Sequence, residues 1–420
     1  MTQTSPSSDP ARQERRIKSV SRMKEIMTDY YIRAKEAENT AQPVAWITSG
    51  GPVEPLIAMD IIPVYPENHG AMIGASKMGA DLCAQAEDMG YSRDLCSYAK
   101  ADLACAQSHG GPIGGLPRPD LLICCNNICS TVVKWYEIQA RAFDIPLFIL
   151  DTPMNHTAYP QAARDYVRDQ IQDCIAFLEG VTGKKLDHDR MQEVGSLSVQ
   201  AQRLWDQILQ TAAHAPSPMS AFDAFFHLAL IVTLRGTSVC VEYYRQLLDE
   251  MHQRIASGIG AVPREDYRLL WDNLPIWYRT KWLSTRFADH NACLVADTYT
   301  SAWCSSLESI DDKDFLGSMA EAYSQIYLNL GLDRMAEQII AMMHRYRADG
   351  LVMHSNRSCK PYSLGQYDIQ RLVRERTGCP VLILEADMVD ERLFSESQAQ
   401  TRIDAFMEMI RSRRPTPNKA

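Results

Sequence analysis

Two hydrophobic patterns take turns along the chain. Short unbroken apolar runs, VAWITSG at 44–50, IIPVY at 61–65, LLICC at 121–125 and PLFILD at 146–151, are bounded by Gly, Pro, Asn or Asp. Runs of this length fit strands buried on both faces. Between them apolar residues return every three or four positions, the period of a helix with one buried side. Ile17, Val20, Met23, Ile26, Met27 and Tyr30 recur in this way and predict a helix over about 12–38. Further helices are predicted over 53–59, over 76–107 with a break near Gly90, and over 130–143.

From 161 to 255 the strand pattern vanishes, and long amphipathic helices follow one another with a break at HAPSPMS, 214–220. The alternation then resumes. YRLLWDN (267–273), ACLVADTY (292–299), DGLVMHSN (349–356) and PVLILEAD (380–387) read as strands, with helices from about 280, over 362–375 and over 397–411. Strands alternating with helices of this length predict βαβ units and parallel sheets. The expected fold class is α/β, with two Rossmann- or flavodoxin-like parallel-sheet domains at 43–160 and 263–414. An N-terminal helical arm (1–42), a helical bridging region (161–262) and a disordered tail (415–420) complete the expectation.

Composition narrows the function classes. At 420 residues with 46% hydrophobic residues the chain is long enough for two or three well-filled cores. No apolar run reaches the roughly 18 residues that span a bilayer, and the polar start MTQTSPSSDPARQERR does not read as a secretory signal. A net charge of −9 argues against nucleic-acid binding, which leaves a basic footprint. Twelve cysteines without an export signal imply a reducing, cytoplasmic setting, in which thiols serve as ligands or core residues.

Three of those thiols are placed for chemistry. Ligands of open α/β sheets bind beyond the carboxyl ends of the strands. Cys129 ends LLICCNNIC and Cys359 ends GLVMHSNRSC, each just after a strand; Cys96, in DLCSYAK, lies on a helical stretch ahead of the 121–125 strand. Soft thiolates match iron. The spacing alone is weak, because there is no Cys-x-x-Cys pair and Cys124 and Cys125 stand close to Cys129. Cys83, Cys105, Cys174, Cys240, Cys293, Cys304 and Cys379 read as small hydrophobes of the core. In SGGPVEPL two glycines at a strand-to-helix turn offer backbone N–H groups to an anion, and Glu54 reads as a first-turn acid. His69 in PENHG reads as a surface-loop histidine, and His354 and His109 as structural residues. GGPIGGLP is a connector or a lid. No phosphate-binding G-x-x-x-x-G-K-[ST] occurs, so ATP hydrolysis is not expected of this chain.

The strings CSTVVKWYE after Cys129, HSNRSCKPY around Cys359 and GCPVLILEADMVDERLF, with DLCSYAK and SGGPVEPLIAMDIIPVYP, resemble the 2-hydroxyacyl-CoA dehydratase family. That family includes the catalytic subunits of ATP-dependent benzoyl-CoA reductase. The resemblance runs over about 44–406, and CCNNICSTVVKWYE and HSNRSCK are most similar to the larger, B-type subunit of the reductase. It implies one [4Fe–4S] cluster held by Cys96, Cys129 and Cys359, with one iron open. Many members carry Cys-Asp at the second position, whereas this chain has Cys129-Ser130 and Cys125-Asn126, so Cys125 stands as the alternative second ligand. It also places Glu54 near a bound acyl group.

The activity implied is reduction of an aryl-CoA such as benzoyl-CoA to a cyclic dienoyl-CoA by single-electron steps. A radical 2-hydroxyacyl-CoA dehydratase subunit, a lyase, is the alternative, and a cluster-carrying scaffold without chemistry is the third reading. Implied partners are a paralogous cluster-bearing subunit, a separate ATPase module and the ferredoxin that feeds it, with neither nucleic acid nor membrane.

Overall fold

The computed structural model describes residues 14–108, 110–156, 159–304 and 314–413. Helix α1 (Val20–Glu36) leads into β1 (Val44–Ile47), α2 (Glu54–Ala58) and β2 (Ile62–Val64). Three helices follow, α3 (Pro66–Ala75), α4 (Gly79–Asp88) and α5 (Ser97–Ser108), before β3 (Leu121–Cys125), α6 (Thr131–Phe143) and β4 (Leu147–Leu150). The helical middle comprises α7 (Gln161–Thr182), α8 (His188–Gln210), α9 (Ala221–His227), α10 (Ala229–Leu234) and α11 (Ser238–Ala256). The second alternation runs β5 (Tyr267–Asp272), α12 (Thr280–Asp289), β6 (Ala292–Asp297), α13 (Thr298–Ser301), α14 (Phe315–Ser324) and α15 (Leu332–Arg345). It closes with β7 (Gly350–Asn356), α16 (Lys360–Ser363), α17 (Gln366–Thr377), β8 (Val381–Ala386) and α18 (Glu396–Arg413).

The strands form two four-stranded sheets, ordered β2-β1-β3-β4 and β6-β5-β7-β8, with every pairing parallel. The expected α/β class with two parallel sheets is what the structure has. Central strands covered on both faces need apolar residues at every position, and β1, β3, β5 and β7 are buried almost throughout. Both sheets repeat one order, so each has a switch point where the chain leaves the first strand on one side and returns on the other. These points lie between β1 and β3 and between β5 and β7. The tail expected to be disordered lies outside the described residues.

Two boundaries differ from the sequence reading. Residues 66–75, where the pattern predicts no element, form α3, and the helix expected over 362–375 is split into α16 and α17. Helix α3 hides from pattern analysis because most of its faces are covered: Pro66, His69, Gly70, Ala71, Ile73 and Gly74 are all buried. Its glycines allow close packing. A Cβ on Gly70 would stand 2.5 Å from the Tyr98 ring, and one on Gly74 2.9 Å from Trp277 Cβ.

The helical middle is fastened to both sheets. Glu54, at the start of α2, is fully buried; it accepts hydrogen bonds from Ser198 of α8 (2.7 Å) and Tyr323 of α14 (2.6 Å). Arg235 stands 3.8 Å from the same carboxylate and donates to Gly51 O at 3.1 Å. A buried carboxylate needs such partners, since losing one leaves a charge without compensation. The Trp205 indole N–H donates to Thr300 O at 3.0 Å, tying α8 to the second half.

Candidate active site

Three helices begin at three cysteines. Cys96 immediately precedes α5, Cys129 stands two residues before α6, and Cys359 is the residue that caps α16. The backbone N–H groups of Ala99 and Tyr98 point at the Cys96 thiol, those of Val132 and Thr131 at Cys129, and that of Tyr362 at Cys359. First-turn N–H groups lack helical partners and favour negative charge, so each sulfur sits where a thiolate is stabilised.

The three thiols also feel one another. Burial is the largest influence on each: it pushes Cys96 up to about 12 and raises Cys129 and Cys359 as well. Cys129 raises Cys96 further, while Cys96 and Cys129 both raise Cys359. Residues from both sheets therefore face one region between the two switch points.

Cys125 points elsewhere. Successive strand residues face opposite sides of a sheet. Cys125 packs with Ile47, Leu150 and Cys174 in the core cluster on one face, whereas Cys124 lies in the opposite cluster with Cys129 packed against it. The structure thus gathers Cys129, not Cys125, with Cys96 and Cys359. Cys83, Cys105, Cys174, Cys240 and Cys293 are buried as expected; Cys304 and Cys379 are half-buried.

A polar brace locks the turns of Cys96 and Cys359 together. The backbone N–H of Ser97 donates to Ser358 Oγ at 3.2 Å, and the Ser358 hydroxyl donates to Asp387 at the end of β8. Asp387 also accepts from the N–H groups of Val389 and Asp390, each at 2.9 Å. Aromatic rings enclose the region. Tyr98 responds electrostatically to Tyr299, Cys96 and Cys359, and Tyr362 to Cys359 and Tyr299. The Trp277 indole donates to the Tyr98 hydroxyl at 2.5 Å.

Sequence reasoning missed Glu67, in the first turn of α3. Its carboxylate receives the Ser49 N–H and the Tyr136 hydroxyl, both at 3.4 Å, and it lies within electrostatic range of Cys129 and Cys124. Burial pushes it up to about 7, against the pull of its own N–H and that of Ser49. A carboxyl poised near neutrality can both give and take a proton. The signal was present: Glu67 follows the carboxyl end of β2, the same placement that singled out Cys129 and Cys359.

His69 corrects a sequence expectation. It is not at the surface but fully buried in α3, because helix formation turns PENHG inward. Neither ring nitrogen makes a well-formed hydrogen bond, and burial lowers its pKa to about 4 against the opposing influence of the Pro112 backbone. Gly111, at φ +107°, lies close over the ring. His354 is a buried strand residue, as expected, with Nδ1 2.7 Å from Leu274 O. His109 lies outside the described residues. Glu54, expected near substrate, has its oxygens taken by Ser198 and Tyr323 in the knot that fastens the helical middle.

Among the described residues no three His, Cys, Asp or Glu side chains close on a single metal ion. Cys96, Cys129 and Cys359 sense one another electrostatically, each at a helix start, and soft thiolates are the donor type that suits an iron–sulfur cluster.

Beside the site opens a groove of about 580 Å³, lined by α1, α3, the α9–α10 segment, Trp277 and Tyr299. Among the described residues no helix is long and apolar enough to cross a membrane.

Comparisons with known proteins show the family of the chain. The family model described as 2-hydroxyglutaryl-CoA dehydratase, D-component, matches residues 48–410. The (R)-2-hydroxyisocaproyl-CoA dehydratase alpha subunit of Clostridioides difficile is 35% identical over 393 residues, 93% of this chain and 95% of that one. The lactoyl-CoA dehydratase alpha subunit of Anaerotignum propionicum is 33% identical, covering 90% and 93%. The B-type subunit of benzoyl-CoA reductase from Thauera aromatica is 30% identical, covering 94% and 95%.

Proposed function

Because the chain belongs to the 2-hydroxyglutaryl-CoA dehydratase D-component family, we propose that it is the alpha-type subunit of a 2-hydroxyacyl-CoA dehydratase, a lyase acting on an acyl-CoA thioester. The observation that carries this reading is the convergence of Cys96, Cys129 and Cys359, from three helix starts and both sheets, on one enclosed region. These residues would hold a [4Fe–4S] cluster with one iron open. Bound there, such a cluster would supply the single-electron chemistry that makes loss of the 2-hydroxyl from the thioester feasible.

The chain's own residues have distinct tasks. Glu67 carries the proton that must leave or reach the acyl group, its carboxyl held near neutrality by burial. Tyr98, Tyr299 and Tyr362 keep water from the reacting region. The Ser97–Ser358–Asp387 brace fixes the spacing of the two thiols it joins. A second subunit, and a separate ATP-hydrolysing electron donor, complete the assembly, since the chain carries no phosphate-binding motif of its own.

The benzoyl-CoA reductase reading, favoured by the strings CCNNICSTVVKWYE and HSNRSCK, is second. It shares thiols, fold and thioester, but the two dehydratase alpha subunits stand at 33–35% identity against 30% for the reductase chain. Stoichiometry separates the two. The reconstituted assembly is supplied anaerobically with a 2-hydroxyacyl-CoA or benzoyl-CoA, limiting ATP and reductant. A dehydratase gives many turnovers per ATP, whereas a reductase consumes ATP and reductant in proportion to product. Proportional consumption, with no water eliminated from any 2-hydroxyacyl-CoA, would overturn the dehydratase assignment.

A further inference from the structure

The spacing Asn-x-x-Cys precedes both of the thiols that follow strands: Asn126 to Cys129 after β3, and Asn356 to Cys359 from the last residue of β7. The two asparagines are used differently. Asn126 spends its amide on the end of β4. Its Nδ2 donates to Asp151, and its Oδ1 accepts the Thr152 N–H and hydroxyl, both at 2.7 Å. Asp387 follows β8 as Asp151 follows β4, but it is already taken by Ser358 and by the N–H groups of Val389 and Asp390. Asn356 is fully buried, and among the described residues neither its Nδ2 nor its Oδ1 has a partner.

A buried amide without hydrogen bonds is costly, because water satisfies it in the unfolded chain. Such groups are rare in native folds and call for a specific explanation. Among the described residues Asn155 is the other asparagine with both side-chain atoms unpaired, and the segment 151–160 around it contains no cysteine. Asn356 shares a turn with one. The Cys359 N–H donates to Asn356 O at 3.1 Å, the bond of a four-residue turn whose end Cα atoms lie within about 7 Å of each other.

The face of β7 that Asn356 occupies also leads to the thiols. His354, two residues earlier on that face, holds Nδ1 2.7 Å from Leu274 O. The segment after Leu274 carries Trp277, whose indole donates to Tyr98, the ring that responds electrostatically to Cys96 and Cys359. The amide makes no hydrogen bond to the Cys359 sulfur itself. The acceptor it suits is therefore a further atom of what the thiols hold.

We infer that Asn356 donates a hydrogen bond from Nδ2 to a sulfide of the cluster held by Cys96, Cys129 and Cys359, and so raises its reduction potential. The inference rests on the cluster reading and adds a residue that tunes the centre. A reduced cluster carries one more negative charge than an oxidised one, so an N–H donor favours the reduced form. Asn126, pinned to Asp151 and Thr152, offers the centre no such donor.

Potential and stability test this without turnover. The full chain and its variants are loaded anaerobically with iron and sulfide, then titrated with titanium(III) citrate while the spin signal of the cluster is followed. Asn356→Leu, close in size and without polar atoms, and Asn356→Ala should each keep their iron. Their reduction constants should fall roughly tenfold, a midpoint about 59 mV more negative for one electron. Asn126→Ala should leave the midpoint where it is. In the iron-free chain the amide is unsatisfied, so Asn356→Leu should raise Tm there. An unchanged midpoint in both Asn356 variants, or an equal fall in Asn126→Ala, overturns the assignment while the cluster reading stands. So does loss of iron from both Asn356 variants, or a lower Tm of the iron-free Asn356→Leu chain. A wild-type chain that takes up no cluster overturns the cluster reading itself.

Discussion

The two sheets share a strand order but equip their carboxyl ends differently. Cys129 follows β3 and Cys359 follows β7, the third strand of each sheet, so the halves contribute these thiols from equivalent places. The crossovers that precede them diverge. In the first half the path from β2 to β3 passes through α3 and α5, which bring Glu67 and Cys96. In the second half the path from β6 to β7 passes through α13–α15 and brings Tyr299 with Asp297, a buried carboxylate that caps Thr300 N at 2.6 Å. One half thus supplies two thiols and the buried Glu67 carboxyl. The other supplies the third thiol, the Ser358–Asp387 brace and most of the aromatic enclosure. The repeated topology fixes where a site can open; the crossover sequence decides what fills it.

The sharpest way to break this comparison is to remove thiols from each half. Cys96→Ser, Cys129→Ser and Cys359→Ser should each lose bound iron and depress activity by at least about 10³-fold. Helical circular dichroism should stay near wild type, because these residues lie at helix starts between the sheets. Cys125→Ser, on the other face of β3, should keep its iron. Full iron in a Cys359→Ser protein would leave the second half with no part in the centre.

Next in size is the carboxyl that the first half alone provides. Glu67→Gln should lower kcat about 10²–10⁴-fold with iron content unchanged. If turnover survives, proton transfer belongs to another group. Smaller again is the brace. Asp387→Ala strands two backbone N–H groups and the Ser358 hydroxyl, and should cost about 2–4 kcal/mol in denaturant midpoint analysis. An unchanged midpoint would show that the halves hold together without it.

The smallest effect compares one buried carboxyl from each half. Burial raises Asp102 of α5 to about 6 and Asp297 of β6 to about 7. Unfolded, both release their protons near the ordinary aspartate value, about 4. The folded form therefore holds protons the unfolded form has lost, and the stability each contributes is complete at low pH and fades as pH climbs through 6 and 7. Asp297→Asn should flatten the fall in Tm between pH 5 and 8 by roughly 2 °C, and Asp102→Asn by less. Profiles parallel to wild type would remove these groups from the pH response.

How much of this was written legibly in the sequence depends on burial pattern. The strand Leu121–Cys125 stands where its unbroken apolar run placed it, and Cys129 and Cys359 lie just after strands as their segments suggest, which is where sites of open sheets form. Cys125 remained open against Cys129 because spacing does not say which face of a strand a side chain takes; the sheet does. Helix α3 was invisible, since a segment covered on nearly all sides has no polar stripe to reveal its period, and Glu67 and the true position of His69 went with it. Glu54 looked like a site residue for a sound local reason, but its partners Ser198 and Tyr323 lie 144 and 269 residues away.

The brace between Ser97 and Ser358 spans 261 residues of sequence. On a ribosome adding about 5–20 residues per second, the first of these serines emerges roughly 13–50 s before the second. Through that interval Cys96 and Cys129 are made and Cys359 is not. A nascent chain consequently presents an incomplete pair of thiols, open to adventitious metal or oxidant. On the cluster reading proposed above, loading is a late event in the life of each molecule, timed by when β7 and its following turn dock beside α5.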